Sequence, residues 1–395
     1  MSTRQPPLKI PAYAAGSFAL FTLQQRLPKI LAQAKAELRQ ESQDDARWGA
    51  LESGLASGGA IEGDLFALDT PFWRSTSASL AGHTWSELPF FDLEFLFYHA
   101  INSIAASVQP GLDVFARTRH TALVDALPGV ELTLAAGGTS RIDVALELAL
   151  SGNHADLSQL AHLTTTTAPA SAATTAQQSK SRLVDERSAL QERLAQEQDG
   201  TVQVLADNAG SELCFDLNLV DALLTLRRGP VVLQLKPKPM FVSDALVSDV
   251  EQTIDRFIQR GVGSRLVALG IRLRQALDSG RLSLSAPPDW AEPRHMNALS
   301  PELTAALQAA TLVIAKGDLN YRRFFEDRAW PADTKVDAAS VGTSMHAFSL
   351  RVLKSDTIVG LDAADVSRLF ATEPDWRSNG AHSLVQRVDS LAPDR

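Results

Sequence analysis

Residues 201–250 read TVQVLADNAGSELCFDLNLVDALLTLRRGPVVLQLKPKPMFVSDALVSDV, and the order of runs in this stretch decides the fold. A short run, Thr201 to Ala206, is followed by a longer Leu-rich one, Glu212 to Leu226, and then by a second short run, Pro230 to Leu235. Short apolar runs separated by longer periodic ones are how βαβ units and parallel sheets are written. The same grammar predicts further strands at Thr311 to Ala315, Phe348 to Leu353, Thr357 to Val359 and Ser383 to Val388. It predicts helices at Asp244 to Gln259, Ser264 to Asp278, Pro301 to Ala310 and Ala363 to Phe370. Ser300 before Pro301 suits a helix start, with the hydroxyl as cap and the proline at the first helical position. The expected fold class is α/β, a three-layer α/β/α core with a mainly parallel sheet.

Upstream the pattern changes. Phe18, Leu20, Phe21, Leu23, Leu27, Ile30 and Leu31 recur largely at spacings of three and four, as one buried helical stripe requires, and Leu93 to Ile104 repeats this. Thr84 to Ile101 is the most aromatic stretch, and its simplest reading is a core helix. Between the two regions, residues 164–181 read TTTTAPASAATTAQQSKS, with no large apolar side chain to offset the entropy of ordering them. The expected organisation is a mainly helical N-terminal domain at 1–163, a disordered linker or loop at 164–181, and an α/β/α catalytic domain at 182–395.

Composition narrows the function classes. With 37 basic against 46 acidic residues the 395-residue chain carries a net charge of -9, and 45% of it is apolar, the balance of an ordinary globular protein. Sequence-independent nucleic-acid binding draws on Lys and Arg neutralising phosphates, so nucleic acid is not an expected partner. Cys214 is the single cysteine, which excludes an internal disulfide or a zinc site of several thiolates. The apolar stretch Tyr13 to Leu23 is too short to span a bilayer of about 30 Å, and no small-residue cleavage site follows it, so the expected location is the cytoplasm.

A parallel sheet binds ligands beyond the carboxyl ends of its strands. There this chain places Asp207-Asn208, then Lys236 with Pro239 to Asp244, then Lys316-Gly317-Asp318, then Lys354-Ser355-Asp356. Asp207, Asn208 and Asp244 offer two carboxylates and an amide carbonyl, hard oxygen donors that suit Mg2+ or Mn2+. The bland alternative makes Asp207 and Asn208 a turn or a cap for the following helix. In KGDLNYRR, Lys316 to Arg323, the glycine lets backbone approach a ligand closely, while Asp318, Asn320, Tyr321 and Arg322 supply donors and acceptors for a polyhydroxylated, phosphorylated molecule. Alternatively Asp318 caps a helix over Tyr321 to Phe325. Arg351 and Lys354 at the next strand end suit a phosphate, or else form a solvated pair at the sheet rim. Gly261-Val262-Gly263 has Leu266 where a dinucleotide fingerprint needs its third glycine, and Walker A, G-x-S-x-G and H-E-x-x-H motifs are absent. The eight histidines form no pair at ligand spacing.

The blocks DNAGSELCFDL (207–217), LKPKPMFVSDAL (235–246), KGDLNYRR (316–323) and LRVLKSD (350–356), in this order, resemble the metal-dependent damage-control phosphatases of the acidic-residue-methyltransferase-like subfamily. The resemblance implies an α/β/α domain with a helical N-terminal portion. It implies hydrolysis of small-molecule phosphate esters such as fructose 1-phosphate with a divalent cation (Mn2+, Co2+, Ni2+ or Mg2+). Asp207, Asn208 and Asp244 would be the metal ligands, Asp318, Leu319, Asn320, Tyr321 and Arg322 the substrate contacts, and Lys354 the phosphate cation. Glu212 matches a position linked to S-adenosylmethionine in a protein carboxyl methyltransferase, the second reading, although the usual glycine-rich turn is missing. A catalytically silent binding module is the third. One departure stands out: the subfamily's Arg-Thr-x-Lys is Arg351-Val352-Leu353-Lys354 here. If the lost hydroxyl donates to phosphate, the cost is about 0.5 to 1.5 kcal/mol; if it only packs, valine is nearly isosteric. In the expected mechanism Lys354 and Arg322 neutralise phosphate oxygens and Asp318 and Asn320 hold sugar hydroxyls, while Asp207 either attacks directly or orients a metal-bound water, the second being preferred; a carboxylate at a strand end could do either. Pocket walls are expected to include Glu94 and Trp85.

Overall fold

Among the described residues seven strands form one sheet: β1 (Arg182–Asp185), β2 (Val202–Leu205), β3 (Val231–Gln234), β4 (Leu282–Ser285), β5 (Leu312–Lys316), β6 (Ala347–Val352) and β7 (Ser383–Arg387). Their spatial order is β1-β7-β6-β5-β2-β3-β4. The pairs β2–β3, β2–β5, β3–β4, β5–β6 and β1–β7 are parallel, and β6–β7 is antiparallel. The computed structural model describes residues 5–137, 142–152, 182–261, 264–340 and 344–389. The expected linker at 164–181 lies outside the described residues.

β2 and β5 are buried at every position, as strands covered by helices on both faces must be. One apolar cluster joins the helices Ala116–Gly137, Ile142–Gly152, Ser211–Leu226, Val247–Ile258 and Arg265–Asp278 to one face of the sheet, with Val204, Ile314, Leu350 and Val352 pointing into it. The opposite face, carrying Leu205, Val313 and Ala315, packs against Leu303, Leu307, Tyr321 and Phe324. A third cluster is the helical N-terminal region, built around Phe90–Val108 with Trp48, Trp73 and Trp85, and it reaches the sheet portion through Met240, Val242 and Leu319. Among the described residues no helix is long and apolar enough to cross a membrane.

Five of the six expected strands are present. Thr357 to Val359 is not a strand: these residues are buried, but Val359 spends its N–H on the Tyr321 hydroxyl (3.2 Å) instead of on a neighbouring strand. β1 and β4 were not expected. The helix expected from Asp244 begins at Val247, because Lys236 pairs with Leu246 and draws residues 244–246 into an extended segment. That displacement matters for the site.

Candidate functional site

At the end of β2 the chain does not turn straight into a helix. The Ala209 N–H donates to Ser243 O (2.7 Å) and the Ala245 N–H to Asp207 O (2.9 Å), so Asn208 and Asp244 face each other across a short antiparallel bridge. Two residues far apart in sequence are thus held together by backbone. The helix Ser211–Leu226 is preceded by Gly210 with φ of 72° and has no side-chain cap, so capping does not explain Asp207 and Asn208. Asn208 Nδ2 donates to Asp207 Oδ2 (3.0 Å) and Glu212 Oε2 (2.9 Å), while its Oδ1 accepts from Ser243 Oγ (2.6 Å).

Asp244 is 2% exposed and its Oδ2 lies 2.8 Å from Lys236 Nζ. This is an ion contact without hydrogen-bond alignment, since neither atom has a hydrogen-bond partner. Burial lowers the Lys236 ammonium and Asp244 opposes that shift. Asp207 packs under Gly317, whose φ is +82° and where an added Cβ would sit 1.8 Å from Asp207 Oδ2. Only glycine leaves this carboxylate room.

The helix Gly317–Phe324 starts directly after β5, earlier than expected, and puts Asp318 in its first turn without a capping role. Asp318 Oδ1 instead accepts from Arg351 Nε (2.8 Å) and from the Lys354 N–H (3.1 Å). Arg351 is wholly buried rather than a solvated rim residue: it stacks 4.2 Å over the Tyr321 ring and donates to Thr357 O and Ser355 Oγ. It shapes the turn that presents Lys354 and does not reach the cleft.

These elements open onto one cleft. Asp207, Asn208, Asp244, Asp318, Leu319, Arg322 and Lys354 line it. Asn320, Tyr321, Arg351 and Glu212, expected to contact substrate, do not. Asn320 Nδ2 donates to the Ala206 and Lys316 carbonyls, the Tyr321 hydroxyl donates to Gln386, and Glu212 sits behind Asn208. Arg322 lines the cleft already engaged: Asp327 takes it bidentately (2.8 and 2.9 Å), Glu94 takes Nη1 (2.7 Å), and it stacks on Phe90 and Phe91. Burial would lower its pKa, but Asp327 and Glu94 outweigh that and hold it well above the usual value. A guanidinium so satisfied has little left for a phosphate.

Glu94 lines the cleft and Trp85 does not, being sealed in the N-terminal core. Sequence reading missed Phe18, Thr22, Arg26, Tyr98, Phe241 and Ser243 on the walls. Pro28 has no N–H to bond back into the preceding turn, and the helix widens to a π-turn over Thr22–Arg26 just before it. Phe18, Thr22 and Arg26, spaced by four, all reach the cleft. A proline within a helical stripe was the one available signal. Val352 lies in the apolar cluster on one face of the sheet and does not line the cleft. The missing threonine hydroxyl is therefore a matter of packing here, not of phosphate contact.

The residues fit a divalent cation. Asp207, Asn208 and Asp244 present hard oxygen donors at one wall, Asp244 Oδ2 being buried in ion contact with Lys236 Nζ (2.8 Å) and without an aligned hydrogen bond. Four carboxylates of the lining (Glu94, Asp207, Asp244, Asp318) face three cations (Arg26, Arg322, Lys354), an excess that added positive charge would balance before an anion enters. Among the described residues no group of three His, Cys, Asp or Glu side chains could hold a metal, so an amide would have to complete the set.

Residues 22–369 match the model of the damage-control phosphatase ARMT1-like domain. The chain belongs to this family. Among curated relatives, Damage-control phosphatase ARMT1 of Xenopus laevis is 36% identical over 197 residues, 48% of this chain and 44% of that protein. Its Danio rerio counterpart is 34% identical over 190 residues, 47% and 42% respectively. The chain thus spans about half the length of the curated relatives it matches. A crystal structure of a DUF89 family protein from Pyrococcus horikoshii covers 93% of this chain and 97% of its own, with a TM-score of 0.54 at 13% identity, which shows a shared fold. The family match takes in the N-terminal segment from residue 22 as well as the strand ends, and so both walls of the cleft.

Proposed function

We propose that the chain is a metal-dependent phosphatase that hydrolyses phosphate monoesters of sugars, fructose 1-phosphate-like, or of related damaged metabolites. The observation that carries this reading is the meeting of Asp207, Asn208, Asp244 and Lys354 on one cleft, in a chain of the damage-control phosphatase family. Asp207, Asn208 and Asp244 would hold Mn2+, Co2+, Ni2+ or Mg2+. Bound there, such a cation supplies charge neutralisation and polarises a phosphoryl oxygen.

The protein's own groups do the remainder. Lys354, fixed through its backbone N–H on Asp318, meets the phosphate as a point charge. Asp207, confined under Gly317, orients the attacking water and takes its proton as the P–O bond to the sugar breaks, and the departing sugar oxygen takes up a proton from solvent. The outer wall, with Tyr98, Phe241 and Phe18 beside Thr22 and Arg26, gives a sugar both a face for its C–H groups and donors for its hydroxyls. Glu212 offers a methyl donor nothing in this cleft, since it does not line it.

The test is a panel of phosphate esters assayed with each of the four cations on the purified chain. We expect cation-dependent release of phosphate that Asp244→Ala abolishes while circular dichroism and melting remain those of a folded protein. Full activity in Asp244→Ala, or silence of the wild-type chain across the panel, refutes the reading.

A further inference from the structure

A carboxamide presents an oxygen on one edge and an NH2 on the other, and only the oxygen edge can serve a cation. What decides which way Asn208 points is therefore a chemical question about its neighbours. Nδ2 faces two carboxylates, Asp207 Oδ2 at 3.0 Å and Glu212 Oε2 at 2.9 Å, and Oδ1 faces the Ser243 hydroxyl at 2.6 Å. Flipping the amide would set its oxygen against both carboxylates. Ser243 gives no such preference, because a hydroxyl donates or accepts equally well. Asp207 discriminates, but it is itself assigned to the cation. The fixed discriminator is Glu212, which is 2% exposed and does not line the cleft.

Glu212 is held in turn. Its Oε1 accepts from Lys316 Nζ (3.2 Å), and the same ammonium meets Asp216 Oδ1 (2.5 Å), one helical turn further along Ser211–Leu226. All three side chains are buried, and Asp216 Oδ2 has no hydrogen-bond partner. A buried cluster of two carboxylates and one ammonium is a poor way to stabilise a core, because apolar residues of like size would do as well or better. Lys316 ends β5 and precedes Gly317, so the cluster also ties the Asn208 loop to the glycine that seats Asp207.

We propose that Glu212, anchored by Lys316 and Asp216, is a positioning residue that locks the Asn208 amide with its oxygen towards the cation site. The inference rests on the reading of Asp207, Asn208 and Asp244 as that site. It gives Glu212 a task in cation binding rather than in contact with substrate or a methyl donor.

The discriminating experiment swaps amide and acid between the two positions. In the full chain, Mn2+ affinity is measured by titration calorimetry for wild type, Glu212→Gln, and the double variant Asn208→Asp/Glu212→Gln, with melting in EDTA as the check on folding. Glu212→Gln removes the preference for one amide orientation, and its Mn2+ affinity falls 10- to 100-fold, the usual consequence of losing an outer partner of a ligand. The double variant keeps the net charge and the number of donors and acceptors. Its carboxylate, now at position 208, presents an oxygen whichever way it turns, and its amide, now at position 212, donates to that carboxylate, so affinity recovers to within about fivefold of wild type. Should Glu212→Gln alone fail to fold, the double variant, whose hydrogen bonds are complete, still binds Mn2+. Wild-type affinity in a folded Glu212→Gln, or a folded double variant that stays as weak as the single one or as weak as Asp244→Ala, overturns the assignment. Absence of Mn2+ binding by the wild-type chain overturns the cation-site reading itself and this inference with it.

Discussion

Replacing Gly317 by alanine tests the seat of Asp207 with a single methyl group. The added Cβ would stand 1.8 Å from Asp207 Oδ2 and 2.2 Å from its Cγ, whereas real Cβ contacts do not come below 3.0 Å. The carboxylate must therefore retreat by about 1 Å, a displacement of the size that costs about 10²-fold in catalysis. The φ of +82° adds a backbone cost of roughly 1 to 2 kcal/mol for any L side chain. That is enough to lower the melting temperature by several degrees without unfolding the domain. Gly317→Ala should thus remain folded in EDTA while its Mn2+ affinity falls at least tenfold and its kcat/KM on an active ester falls by about 10²-fold or more. Calorimetric titration and phosphate release, measured on protein whose melting has been recorded, supply both numbers. A folded Gly317→Ala with Mn2+ affinity and kcat/KM within twofold of wild type would refute the argument that Asp207 is confined where it acts.

Other expectations concern the surrounding groups. Lys354→Met should lower kcat/KM by about 10- to 100-fold, the worth of a charged hydrogen bond of about 1.5 to 3 kcal/mol, while leaving Mn2+ affinity within threefold; an equal loss in Mn2+ affinity would mean that Lys354 acts through the cation site. Val352→Thr, which restores the family's usual residue, puts a hydroxyl into the apolar cluster and should cost about 1 to 3 kcal/mol in urea denaturation with kcat/KM unchanged within twofold, so a tenfold gain in kcat/KM would contradict the packing role. His99 lies between Trp73 and Phe66, and burial, then the Lys238 ammonium near Nδ1, push it down to about 4. Below pH 6.5 the unfolded chain takes up this proton and the folded one does not, so the stability contributed is full above 6.5 and is lost as pH falls towards about 4. Between pH 6 and 5 the stability of wild type should fall more than that of His99→Gln by about 1.2 kcal/mol, and parallel slopes would show that His99 is not held neutral.

What could be read in the sequence divides along a physical line. Buried parallel strands such as β2, β3 and β5 announce themselves, because both faces are covered and nearly every position is apolar. β1 and β4 do not, since Arg182–Asp185 and Leu282–Ser285 are short edge strands with polar, part-exposed positions that match a loop as well as a strand. The strand ends carry the residues of one cleft wall, and the rule that ligands gather there picks out Asp207, Asp244 and Lys354, which line the same cleft. Whether such a residue faces the ligand or supports one that does depends on side-chain packing. Tyr321 and Arg351 stack on each other, and no pattern in KGDLNYRR distinguishes that from substrate contact. The opposite wall, Phe18 to Arg26, comes from a helix about 180 positions before Asp207. Pairing across such a separation is decided by tertiary packing that periodicity does not encode.

β7 is the last of the seven described strands in chain order, yet it is inserted between β1 and β6 in the sheet. A polypeptide emerging from the ribosome therefore completes six strands before the one that joins the first of them to the rest has been made. Until Arg387 clears the exit tunnel, β6 offers an unsatisfied edge and β1 has no partner strand, the condition in which half-built sheets recruit foreign strands. Vectorial synthesis thus makes the strand that closes this sheet after the other six, and a translation arrest just before residue 383 would release a chain with β1 unattached and one flank of β6 open to aggregation.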